Sequence, residues 1–312
     1  MVISVARAGL VAAWRRPGLA SLLWAWSLVL ALPLTLPAWS WLHGATARAP
    51  ESDILLQRFS FAAIADLLRA DSPLALVVPA LVATALVAIV GQALTAGGLI
   101  EVLITDDARP FLHRFFRGAG HFFWRFLRVG LYAWLACGVA ASSVALAFAP
   151  IVSVLGEMTW EPAAHMARAA RLPIVALLVL LIAVAFDYAR IRVAREGSRH
   201  ALLAFLRSLW FVVRHPRATL GLWFVMAAAL AAIYAAYGAF RAYVPSDTWA
   251  TILLMAAVQQ LTILVAAGLR VALVAGEVAV WERYNPGGRP PVAGRTLQVA
   301  GSPPETNAPS RE

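Results

Sequence analysis

"LTAGGLIEVLITDDARPFLHRFFRGAGHFFWRFLRVGLYAW" (Leu94–Trp134) starts in an apolar run and passes through Glu101, Asp106 and Asp107. It then crosses five arginines set among aromatic rings before turning apolar again. Arginine and aromatic side chains concentrate where a membrane meets water. A chain that leaves oil, crosses such a belt and re-enters oil is turning round at a membrane surface. The competing reading is an acid–base or metal constellation built from Asp106, Asp107, His113 and His121. That spacing matches no helical metal site, and His121 stands beside Phe122, Phe123 and Trp124, which suits an interfacial belt.

Composition extends the first reading to the whole chain. Apolar residues make up 62% and charged residues 13%, against about 45–50% and 25% in an ordinary soluble domain. A soluble core of this size would need more polar surface, so lipid is expected to cover much of it. The single cysteine, Cys137, excludes a disulfide framework and a cysteine metal cluster. All 26 basic residues are arginine, as in GC-rich bacterial genomes. The net charge of +10 raises nucleic acid as a partner, but the placement of the arginines excludes it.

Six runs are long enough to cross a bilayer, which takes about 20 apolar residues. They are expected at 18–42, 74–100, 129–155, 172–191, 218–240 and 248–270, making residues 1–284 one transmembrane domain. None alternates with period two, which argues against a barrel. With the N-terminus inside, 20 arginines and nine acids fall on the cytoplasmic side, a net of +11. Six arginines and seven acids fall outside, a net of −1. This is the positive-inside pattern of a bacterial inner-membrane protein with both ends cytoplasmic. The arginines form a collar for anionic lipid headgroups, and a protein partner at the cytoplasmic face is a further expectation. The first span imitates a signal peptide, yet it exceeds the usual h-region and reads as a retained anchor, kinked or thinned at its outer end by Pro33 and Pro37.

Three stretches align without gaps: "WRRPGLASLLW" (Trp14–Trp24), "WRFLRVGLYAW" (Trp124–Trp134) and "VRHPRATLGLW" (Val213–Trp223). Each has arginine second and tryptophan last, and each leads into an odd-numbered span. The unit reads as an interfacial helix plus a transmembrane hairpin, used three times. The alternative is that arginine and tryptophan gather at membrane boundaries anyway. Between spans, Ser52–Asp71 reads as an outer amphipathic helix, Gly156–Pro173 as a shorter one, and Ser198–Pro216 as a basic one with Leu202, Leu206 and Leu209 set against Arg199 and Arg207. The Pro/Gly-rich segment 285–312 reads as a disordered cytoplasmic tail.

Asp187 interrupts the fourth span after 15 apolar residues, about 22 Å of helix. A carboxylate at that depth needs a partner, and Arg190 and Arg270 are the candidates. Together they are either a coupled ion gate or an ion pair locking spans four and six, and the second is favoured. Gln92, Gln259 and Gln260 either line a path or bond between helices. Gly97 and Gly98 let helices approach closely. Glu101 and Glu277 read as interfacial ion pairs at the inner boundary. No nucleophile elbow, Walker motif, HExxH or dinucleotide fingerprint occurs, and no cofactor is expected.

The segments "AGGLIEVL" and "RPFLHRFFRGAGHFFWRFLRVGLYAW" resemble a pattern in bacterial six-span membrane proteins that have no assigned activity. In these, a Gly-Gly-ended second span leads through a short arm to an aromatic–arginine re-entry helix. The resemblance covers about forty residues and implies topology and location only. The expected protein is an all-α polytopic membrane helix bundle without enzymatic activity. It serves transport of a small or lipidic solute, or assists such a transporter. The alternative is a structural or assembly scaffold, and a lipid enzyme is third.

Overall fold

The computed structural model describes residues 2–48, 74–105, 109–156, 161–198, 200–244 and 248–285. Eight helices account for nearly all of them, with no strand among the described residues: α1 (Val2–Trp14), α2 (Pro17–Arg48), α3 (Leu74–Ile104), α4 (Phe111–Gly156), α5 (Glu161–Glu196), α6 (Ala201–Arg214), α7 (Pro216–Tyr243) and α8 (Trp249–Tyr284). All but α1 and α6 are long and apolar enough to cross a membrane. The chain is an all-α, multi-pass membrane bundle. The outer helix expected over Ser52–Asp71, Arg199, and the tail beyond Asn285 lie outside the described residues.

Several helices overrun the expected spans. The third span is the second part of a 46-residue helix, α4, and α8 continues 36 residues to Tyr284. At 1.5 Å per residue these extend about 69 and 54 Å, well beyond a hydrocarbon layer of about 30 Å. Hydropathy marks only the lipid-crossing part of such a helix. Beyond it, packing rather than lipid holds the helical form. The segment Gly156–Pro173 is likewise not a separate surface helix: from Glu161 onward it is the first part of α5, which runs through Pro173.

Proline explains where the repeated unit breaks and where it does not. Pro17 and Pro216, fourth in the first and third aligned stretches, each begin a helix and separate it from the one before. Their rings would clash with the carbonyl four residues back, while the first turn of a new helix accepts them. The second stretch has Leu127 in that place, and α4 runs straight through. Pro33, Pro37, Pro79, Pro150 and Pro173 sit inside helices without ending them. A helix broken in hydrocarbon would leave backbone groups without water to bond, at several kcal/mol each. At the charged boundary water accepts them, so only the boundary prolines divide the chain.

The element order is thus an interfacial segment and a hairpin, three times: α1 with α2–α3, the first part of α4 with the rest of α4 and α5, and α6 with α7–α8. The sixth place of the aligned stretches is buried in all three, by Leu19, Val129 and Ala218. Helix α3 packs on α4, α4 on α5, and α2 lies against α3 and α8, while α1 crosses α8 and α7. The core occupies one end, formed by the ends of α3, α5 and α8 and the starts of α4 and α7. Far from that end, apolar side chains such as Leu36, Leu86, Leu146 and Leu253 stay exposed, as lipid-facing positions do.

Each interfacial segment also leaves an apolar stripe uncovered, with Trp14, Trp124 and Trp210 all exposed. On α6 the exposed stripe contains Leu202 and Leu206, while a second face with Phe205, Ser208, Phe211 and Val212 is buried against the bundle. The sequence reading recognised the first face and missed the second. It also grouped Leu209 with the lipid face, whereas Leu209 packs against the core.

Helix α1 can lie on α8 because Gly9 has no side chain: a Cβ there would stand 2.3 Å from the Ala272 carbonyl oxygen. Overpacked contacts typically cost about 1–3 kcal/mol. Gly9→Val is therefore expected to lower the melting temperature of the purified protein in detergent. Gly120→Ala, where a Cβ meets nothing within 4 Å, is expected to leave it unchanged or raise it.

Candidate functional site

The second helix of each hairpin carries a charged residue at a corresponding place near the packed end of the bundle. Glu101 of α3, Arg190 of α5 and Glu277 of α8 are 9%, 5% and 2% exposed. Each opens the same short pattern, an apolar residue at the next place and again two further on: Val102 and Ile104, Ile191 and Val193, Val278 and Val280. Helical periodicity puts the charge on the core-facing side of each helix, so three charges enter the core at corresponding points of three units. Buried charges are held by partners or hydrogen bonds, and the three are held differently.

Glu101 takes the Arg117 guanidinium of α4 at 2.6 Å. Beneath that pair, Gly97 and Gly118 bring the backbones of α3 and α4 together; a Cβ on Gly118 would stand 2.3 Å from Glu101 Cβ and 2.7 Å from the Gly97 oxygen. A Cβ on Gly98 would meet the Phe115 ring at 2.5 Å. Arg114 and Arg16 both donate to the Val102 carbonyl, at 2.9 and 2.8 Å, so the start of α2 is tied to the same corner.

Asp187 is paired with Arg190, one turn away on its own helix. The Arg190 guanidinium also lies over the Phe186 ring, 4.2 Å from its centroid. Arg270 is not the partner of Asp187: it stands on the exposed face of α8, within electrostatic reach of Arg190 and Glu277. Spans four and six bring Arg190 and Glu277 within electrostatic reach of each other, without a direct ion pair, and Tyr188 is within the same reach of Glu277. The Tyr188 hydroxyl is buried without a hydrogen-bond partner. Glu277, expected at the wet boundary, is instead buried in the core at 2% exposure. The clue available in sequence was the correspondence of "EVLI" (Glu101–Ile104) and "EVAV" (Glu277–Val280).

An aromatic platform closes the charged layer. Phe211 of α6 has Tyr188 and Trp281 at 5.2 Å and His215 at 5.0 Å between ring centroids, while Arg192 lies over Trp281 at 4.7 Å. Arg195 of α5 pairs with Glu282 of α8. These contacts fasten α5, α6 and α8 to one another.

The remaining candidates are dispersed. Gln260 accepts a hydrogen bond from the Trp24 indole at 3.0 Å, joining α8 to α2. Gln92 and Gln259 occupy exposed faces of α3 and α8. His113 and His121 are both exposed, Asp106 and Asp107 lie outside the described residues, and no group able to hold a metal ion occurs among the described residues. An open groove of about 560 Å³ lies between α1 and α8, and its lining includes neither Asp187, Arg190, Arg270 nor Glu277.

No protein-family model, curated protein or solved structure matches the chain.

Removing a well-packed aromatic ring costs about 3–5 kcal/mol. Phe211→Ala is therefore expected to lower the unfolding free energy in detergent by that order. Phe116→Ala, on a ring 63% exposed, is expected to change it by less than about 1 kcal/mol.

Proposed function

We propose that the protein is a non-enzymatic scaffold of the bacterial inner membrane, with both termini in the cytoplasm and its basic end presented to partners there. One observation carries this reading: the charged residues at the packed end of the bundle are buried and enclosed by packing, with Arg190 at 5% and Glu277 at 2% exposure. A coupled transport site needs a charge that water or solute can reach from one side, whereas a scaffold needs charges that fix helix positions. The Asp187–Arg190 pair and the tie from Arg195 to Glu282 serve the second purpose. The arginine-rich surface at that end would lie against anionic headgroups and orient the platform.

Two measurements test the reading. In a Cys137→Ala background, Ser4→Cys and Ser310→Cys are expected to react with a membrane-impermeant maleimide only after permeabilisation. Ser60→Cys is expected to react in intact cells, and the reverse pattern contradicts the orientation. Asp187→Asn, scored for membrane abundance and for rescue of a deletion strain, is expected to lose both together. Normal abundance with lost rescue would contradict the scaffold and point to transport.

A further inference from the structure

The groove between α1 and α8 has the form of a ligand site that the scaffold reading does not use. Its α1 wall is formed by Ala8, Val11, Ala12 and Arg15, one helical face with Arg7 beside it, and its α8 wall by Ala275, Ala279 and Glu282 at i, i+4 and i+7. Small side chains keep the trough open, and Gly9 against Ala272 fixes the two helices on either side of it. Leu103 and Val278 give it an apolar floor, and Arg16 closes one end, held there by its bond to the Val102 carbonyl.

Charge and depth select the occupant. Glu282 is already paired with Arg195. Among the described residues no carboxylate stands within ion-pair distance of Arg7 or Arg15, and both are exposed. The trough thus has an excess of positive charge over an apolar floor. The remaining surface of α1 exposes Ile3, Leu10 and Trp14, the mark of a helix lying in the headgroup plane with its apolar side in the acyl layer. Basic pockets next to transmembrane helices suit phosphate-bearing headgroups, and guanidinium forks match phosphate oxygens.

We propose that the α1–α8 groove binds the headgroup and glycerol of one anionic glycerophospholipid, its phosphate between Arg7 and Arg15 and its glycerol over Val278 and Leu103. The site is distinct from the diffuse attraction of the arginine collar, because it has a shape and a fixed number of occupants. It rests on the groove alone and does not depend on the scaffold role.

The test uses the full-length protein in neutral detergent, titrated with dioleoylphosphatidylglycerol, dioleoylphosphatidylcholine or inorganic phosphate and read by native mass spectrometry. The expected result is one tightly retained phosphatidylglycerol, weak uptake of phosphatidylcholine, and no displacement by millimolar phosphate. Each arginine near a membrane surface contributes about fivefold in affinity, so Arg7→Ala with Arg15→Ala is expected to lower it by roughly 25-fold. Arg207→Ala, which removes an exposed charge on α6, is expected to retain wild-type binding. Ala12→Leu, which fills the trough and keeps its charge, is expected to lose the bound lipid. Equal loss in all variants means collar electrostatics and overturns the proposal. So does wild-type binding by Ala12→Leu or by the double arginine variant. Displacement by phosphate at similar affinity also overturns it and assigns the groove to a free anion.

Discussion

Everything at the packed end of this bundle depends on taking charge out of water at a place where neither water nor lipid can receive it. Arg190 and Glu277 come from different hairpins, both nearly inaccessible and within electrostatic reach of each other. A buried ion is tolerated when partners surround it, and removal of one partner strands the other. The two side chains form no direct ion pair, so the attraction between α5 and α8 acts at longer range. Their burial also accounts for the rings around the two: Phe186 over Arg190, and Tyr188, Phe211 and Trp281 closing the layer.

The same condition is met three times by different means. In the first unit Glu101 reaches Arg117 across a glycine-lined crossing. In the second Arg190 takes Asp187 from its own helix, and in the third Glu277 is buried within electrostatic reach of Arg190. The interfacial segments differ as well: two are cut off by Pro17 and Pro216, and one is continuous through Leu127. What the units share is a core-facing charge at the packed end of the second helix and an exposed tryptophan on the segment before the first. A single-residue difference at the boundary decides whether that segment is a separate helix.

The spans were legible because twenty apolar residues without charge have one physical solution, and the hairpin order followed from them. Helix ends were less legible, since α4 and α8 continue into segments where packing substitutes for lipid. Asp187 drew attention because it interrupts an apolar run, yet it is the more exposed member of a local pair. Glu277 sits where the sequence already looks interfacial, and nothing local distinguishes a buried glutamate from a wet one. The second buried face of α6 was hidden for a related reason: a helix apolar on two sides, one toward lipid and one toward protein, shows a single broad stripe. Gln260 was readable as a polar residue needing a partner, but only the tertiary arrangement brings it to Trp24.

The central claim is that Arg190 and Glu277 act as one unit. It is tested most directly by a double-mutant cycle on unfolding free energy in lipid bicelles, with Arg190→Met, Glu277→Leu and the two combined. Arg190→Met strands Glu277 and removes the partner of Asp187, and is expected to cost about 3–5 kcal/mol; Glu277→Leu leaves Arg190 with Asp187 and is expected to cost less. The combined change leaves only the more exposed Asp187 without its partner, and its loss is expected to fall short of the sum of the two by more than about 1 kcal/mol. Losses that simply add would show that the two charges are held independently and would contradict the account.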